Sequence, residues 1–96
     1  MNIPVTITEN ALEEIKKISQ IKGISPLLGL RLGIKGAGCS GTSYLLGFDE
    51  KNNNDVEFEV NGIRIFIEKK HFLYLTGVKI DFIDNNNQRG FTFVNP

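Results

Sequence analysis

Gly29-Leu30-Arg31-Leu32-Gly33-Ile34-Lys35-Gly36-Ala37-Gly38-Cys39-Ser40-Gly41-Thr42-Ser43-Tyr44-Leu45-Leu46-Gly47-Phe48 is the stretch that decides how this chain folds. Leu30, Leu32 and Ile34 alternate with Arg31, Gly33 and Lys35, the two-residue period of a half-buried strand. Gly36, Gly38 and Gly41 then spell G-x-G-x-x-G. That pattern marks a dinucleotide site only where a strand leads in and a helix leads out. Here Thr42 to Phe48 leads out, β-branched and aromatic with Gly47 inside it, and reads as a second strand. A phosphate loop of the Walker kind is excluded as well, because no Lys-Ser/Thr pair follows Gly41. The glycines are those of a tight, irregular turn between two strands.

Upstream, Thr8 is the N-cap of a helix, with Ile7 placed to staple onto Leu12. Leu12, Ile15, Ile18 and Ile21 form an apolar stripe, acidic residues come early and lysines late, and Gly23 supplies a stop. Downstream, Val56–Val60 and Ile63–Ile67 flank Asn61-Gly62, the strongest short signal for a two-residue hairpin turn. A short helix is expected over Lys70–Leu75, a strand over Val78–Ile83, a turn at 85–88 and a last strand over Phe91–Val94. The order does not alternate strand and helix, so a doubly wound parallel sheet is disfavoured. The expected class is α+β, one domain spanning residues 1–96, with a mixed, mostly antiparallel sheet arrangement, one N-terminal helix and one short helix.

Eleven basic residues balance eleven acidic ones, with no basic block, so the chain lacks the electrostatic footprint of a nucleic-acid binder. No stretch approaches the apolar length of a membrane span, and no targeting signal is visible; a cytoplasmic protein is the expectation. Cys39 is the only cysteine, which excludes an internal disulfide and a zinc site built from several cysteines of one chain. A thiol among free backbone N–H groups can have its pKa lowered and bind soft metals. A buried, inert cysteine is the competing reading, and the local sequence leaves both open. His71, the one histidine, reads as a surface residue. Asp81 and Asp84 fall on opposite faces of one strand and make no acid–base pair. No residue set carries turnover chemistry, so an enzyme is not expected.

Several segments together resemble a known family. Gly29-Leu30-Arg31-Leu32-Gly33-Ile34, Gly38-Cys39-Ser40-Gly41-Thr42-Ser43-Tyr44, Phe72-Leu73-Tyr74-Leu75-Thr76-Gly77, Asp81-Phe82 and Gly90-Phe91-Thr92-Phe93-Val94-Asn95-Pro96 resemble the HesB-like family, the A-type iron–sulfur cluster carriers. The resemblance covers nearly the whole chain. It implies a compact β-sandwich-like α+β fold and a protein that binds an iron–sulfur cluster, [2Fe–2S], or iron, and passes it to apo iron–sulfur recipient proteins. It implies a homo-oligomer, dimer or tetramer. It assigns Cys39 as a metal ligand and Tyr44 to the cofactor-binding set, as a tyrosine associated with iron.

The resemblance also implies a tail beyond Asn-Pro with a Cys-Gly-Cys pair, for which the sequence through Pro96 holds no counterpart. A [2Fe–2S] cluster usually takes four thiolates. Two chains bring two, and the rest would come from a tetramer, a small thiol, or oxygen and nitrogen donors. The alternative is therefore a degenerate HesB-like interaction module that binds no metal. A thiol-dependent redox or sulfur-handling role for Cys39 is a third reading.

Overall fold

Thr8 sets the start of the first helix. Its backbone is extended, at φ −70° and ψ 160°, and its hydroxyl oxygen accepts a hydrogen bond from the Ala11 N–H at 3.2 Å. One of the N–H groups that a helix leaves unpaired at its start is thereby satisfied. The helix, α1 (Glu9–Ile21), closes with the Gly23 N–H on the Gln20 carbonyl and the Ile24 N–H on the Ser19 carbonyl at 2.9 Å. Gly23 takes φ +60° there, the left-handed step that brings both bonds together. Ala11, Leu12 and Ile15 are buried, but Ile21, expected in the same stripe, is 76% exposed. Each step of three residues falls about 60° short of a full turn. From Leu12 to Ile21 the shortfall grows to half a turn, which carries Ile21 off the buried face.

The computed structural model describes residues 3–25, 27–38 and 41–94, with side chains for all of these except 36–38 and 41–43. Before α1, β1 (Thr6–Ile7) lies parallel to β6 (Lys79–Asp84), with Thr6 opposite Lys79 and Ile7 opposite Ile80. After α1 come β2 (Gly29–Gly38), β3 (Gly41–Asp49), β4 (Asp55–Val60) and β5 (Ile63–Glu68). A 3₁₀ turn at Lys69–His71 leads into a single helical turn, α2 (Phe72–Leu75). β6 and β7 (Arg89–Val94) complete the chain. The strands form two sheets, of order β1-β6-β7 and β3-β2-β5-β4. Neighbours β2/β3, β4/β5 and β6/β7 are antiparallel, while β1/β6 and β2/β5 are parallel. The mixed, mostly antiparallel, two-sheet α+β arrangement agrees with the expectation. The turn at Asn61 (φ 50°) and Gly62 (φ 83°) is the expected left-handed pair.

The core lies where the sheets and α1 meet. Leu30, Leu32 and Ile34 line one face of β2, joined by Phe58, Ile65, Ile67 and Ile80 from the other strands and by Ala11 and Ile15 of α1. Leu75 and Val78 seal the end, and Phe72 of α2 sits with its ring centroid 6.1 Å from that of Phe58. The opposite face of β2 carries Gly29, Arg31, Gly33 and Lys35. On that outer face, Phe66 of β5 is fully buried beneath the Arg64 guanidinium, which lies 5.0 Å from the ring centroid. Gly29 makes the room, since a Cβ there would fall 2.5 Å from Cε2 of Phe66.

Candidate functional site

Strands β2 and β3 pair directly from Gly29↔Asp49 to Lys35↔Ser43, and again at Gly38↔Gly41. Between those two points β2 advances three residues and β3 advances two, so β2 carries one extra residue. The kink is the device by which a strand bends and re-aims its end, and Gly36 and Gly38 remove the side chains that would resist it. The residues that join the paired ends are Cys39 and Ser40. Cys39, the candidate metal ligand, lies outside the described residues.

Tyr44, the second candidate, is described. It sits on β3 opposite Ile34, so its side chain shares the core-facing side of the sheet. It is half-buried, and its ring stacks on Phe93 of β7 with centroids 5.0 Å apart and planes within 12°. Offset stacking of this kind adds to the burial of the two rings. The contact runs from the four-stranded sheet to the three-stranded one. It also brings the end of β7 alongside the start of β3, three residues from Gly41. Phe93 was not legible as part of this neighbourhood, because nothing in a two-residue alternation says which distant strand lies opposite.

His71 stands apart. Its Nδ1 would be 2.9 Å from a Cβ at Gly33, and Leu45 Cδ1 would be 3.9 Å from the same point. Gly33 pairs with Leu45 and faces outward, whereas Tyr44 faces inward. The sheet therefore separates His71 from Tyr44. Asp81 and Asp84 are each engaged elsewhere. Asp81 Oδ1 accepts from the Thr8 hydroxyl at 2.6 Å and from the Phe82 N–H at 2.8 Å, which holds its carboxyl below the ordinary range. Asp84 lies 3.6 Å from Arg89. Among the described residues, no group of three or more His, Cys, Asp or Glu side chains could hold a metal.

The strongest ionic cluster is structural. Arg31 donates to both oxygens of Asp55, at 2.7 and 2.6 Å, to Asp49 Oδ2 at 2.7 Å and to the Glu50 carbonyl at 2.8 Å. The Asp55 carboxylate has no exposed side-chain surface and also accepts from the Asn52 N–H at 2.8 Å. The Arg31 guanidinium holds Asp55 and Asp49 below the usual carboxylate range, and their hydrogen bonds raise Arg31 in turn. These bonds pin β2, β3 and the start of β4 together. A groove of about 520 Å³ opens beside Ile15, Ser19, Leu30, Phe48, Ile63 and Arg64, at the end of β2 remote from Gly38.

Three comparisons bear on this arrangement. Residues 3–96 match the model of a family described as iron–sulphur cluster biosynthesis. The iron-binding protein IscA of Yersinia enterocolitica is 38% identical over 93 residues, which is 96% of this chain and 85% of that protein. Among solved structures, SufA of Escherichia coli, involved in biosynthesis of iron–sulfur clusters, superposes with a TM-score of 0.78 at 29% identity, over 96% of this chain and 80% of that one. A protein from Aquifex aeolicus, solved in solution, superposes with a TM-score of 0.74 at 33% identity, over all of this chain and 95% of that one.

Proposed function

The chain belongs to the iron–sulphur cluster biosynthesis family, the HesB-like carriers, and from that premise we propose that it binds iron or an iron–sulfur cluster, [2Fe–2S], as cargo for transfer to apo-proteins. The observation that carries the reading is the β2–β3 hairpin. Its glycine-rich, kinked end bears the chain's one cysteine inside the Gly-Cys-Ser-Gly segment, within a family match that runs over 3–96. A thiolate is the soft donor that iron–sulfur clusters select. Cys39 is the ligand in this reading, and Tyr44, at the base of the same hairpin, contributes its phenol oxygen to iron.

One cysteine per chain cannot complete a cluster with thiolates alone. The protein therefore acts as a homo-oligomer that brings Cys39 residues of different chains together, a tetramer, or a dimer whose remaining ligands are a small thiol or oxygen and nitrogen donors. Residues 1–96 form one domain, placed in the cytoplasm, that carries and does not catalyse. Among the described residues, no helix is long and apolar enough to cross a membrane.

Anaerobic reconstitution with iron and sulfide tests this, read by the visible spectrum and by iron and sulfide per chain. Cluster absorption that disappears in Cys39→Ser is the expected result. Equal, low iron in both proteins would remove the carrier reading and leave a HesB-like fold that serves as an interaction module.

A further inference from the structure

On the outer face of β2 and β3, apolar side chains collect where the core has no use for them. Leu45 is 40% exposed and neighbours His71, since both reach the space above Gly33. His71 immediately precedes α2, whose Phe72 and Leu75 turn into the core. Residues three apart on a helical turn are neighbours, so Tyr74 lies beside His71. Leu73 and Tyr74 then occupy the side of the turn that faces away from Phe72 and Leu75. They are 85% and 56% exposed. A run of exposed apolar side chains rimmed by polar ones is the mark of an interaction surface.

The rim is basic. Lys35 lies two residues beyond Gly33 on the same face of β2, and Lys69 and Lys70 immediately precede His71; all three are exposed. Of the carboxylates on these elements, Glu68 sits 3.7 Å from Lys70. Further along the same face, Asp49 and Asp55 are both held by Arg31. With Glu68 set against Lys70, Lys35 and Lys69 leave the net charge around the patch positive. A second copy meeting this face across a two-fold axis would set lysines against lysines, which opposes self-association here.

We propose that Leu45, His71, Leu73 and Tyr74, ringed by Lys35, Lys69 and Lys70, are the docking surface for an acidic iron–sulfur apo-protein. The partner's apolar residues meet the patch and its carboxylates meet the lysines. The part of the surface around Leu45 lies on the outer face of β2 and β3, the face opposite Tyr44, so a docked partner engages the strands that lead into the hairpin without covering Tyr44. This inference rests on the carrier reading for the partner's identity, but docking is measured without metal and fails or succeeds independently of cluster binding.

The test is a titration of the metal-free, ¹⁵N-labelled protein with an apo-ferredoxin, an acidic iron–sulfur protein, followed by NMR. Amide shifts at Leu45, His71, Leu73 and Tyr74, weakening as salt is added, are expected. Leu73→Asp and Lys70→Glu should each weaken association about tenfold while the rest of the spectrum stays in place. Shifts confined to the groove lined by Ile15 and Ile63, or no association, would overturn the proposal. So would equal binding of cytochrome c, a basic probe, or shifts at these four residues on concentrating the protein alone, which would make a second copy the occupant. Cluster reconstitution with and without Cys39 remains the separate measure of the carrier reading.

Discussion

Tyr44 and Phe93 lie face to face across the gap between the two sheets, their ring centroids 5.0 Å apart and their planes nearly parallel. The stack joins β3 to β7, strands that share no hydrogen bond. It gives Tyr44 a packing role separate from any contact of its hydroxyl with iron. Tyr44→Ala should lower stability by about 2 kcal/mol in chemical denaturation, less than a fully buried aromatic because the ring is half-buried. Tyr44→Phe keeps the stack and should leave the midpoint of unfolding nearly unchanged. Iron retention, measured on the same Phe variant, should fall. Retention equal to that of the parent protein would leave Tyr44 with its packing role alone.

Two glycines on the outer face of β2 answer to different neighbours. A Cβ at Gly29 would meet the fully buried Phe66 ring at 2.5 Å and the Arg64 carbonyl oxygen at 3.1 Å. Neither can yield easily, so Gly29→Ala should cost about 3 kcal/mol. A Cβ at Gly33 would meet only side-chain atoms, Nδ1 of His71 at 2.9 Å first among them. Gly33→Ala should cost about 1 kcal/mol, and most of that cost should vanish in the Gly33→Ala/His71→Ala double variant. Simple additivity of the two substitutions would show that His71 is not the obstacle.

Asp55 and Asp81 make the fold sensitive to acid. Arg31 lowers the first, and the Thr8 hydroxyl with the Phe82 N–H lowers the second. In the unfolded chain each titrates near its ordinary value of about 3.9. The stabilisation is complete above that value and is lost as the pH drops through the lower folded-state pKa, where the native carboxylates take up protons. Asp55→Asn should flatten the acid limb of a plot of unfolding free energy against pH. It should also cost about 3 kcal/mol at neutral pH, because Arg31 loses its buried charge partner and keeps only the exposed Asp49. An acid limb as steep as that of the parent would place the sensitivity in other carboxylates.

The cap at Thr8 is predicted to act beyond its own helix. Its hydroxyl donates to Asp81 and accepts from Ala11, while its N–H donates to the Ile80 carbonyl at 3.0 Å. Thr8→Ala should cost more than the roughly 1 kcal/mol of an ordinary N-cap, and Thr8→Ser should restore most of it. Hydrogen exchange at Phe82 should quicken in the Ala variant, since Asp81 loses one of the groups that fixes it.

Local signals were legible wherever one residue has one conformational reason to be there. Asn61-Gly62 supplies two left-handed residues, Gly23 supplies one, and Leu30, Leu32 and Ile34 face inward as their alternation requires. β1 was missed because a two-residue strand has no period to read; its partner is 73 positions away. The parallel contact between β2 and β5 is likewise a matter of which strands lie side by side, and alternation does not encode it. The last strand begins at Arg89, two residues earlier than expected, because Gly90 adopts an extended φ of 158° and continues the ladder. The candidates Cys39 and Tyr44 came from the glycine-rich segment and the family resemblance, and of the two only Tyr44 lies among the described residues. The Phe93 stack and the placement of His71 over Gly33 arise only when separate elements meet.

The parallel pairing of β1 with β6 has a consequence for how the protein is made. β1 and α1 leave the ribosome well before β6, the strand they pair with and pack on, which follows some seventy residues later. The central hairpins can form as they emerge, while the amphipathic N-terminal segment must wait with its apolar face uncovered. Completion is thus governed by a late event, the closing of β6 and β7 beneath a helix translated some seventy residues earlier. During that interval the nascent chain is open to chaperones and to premature association.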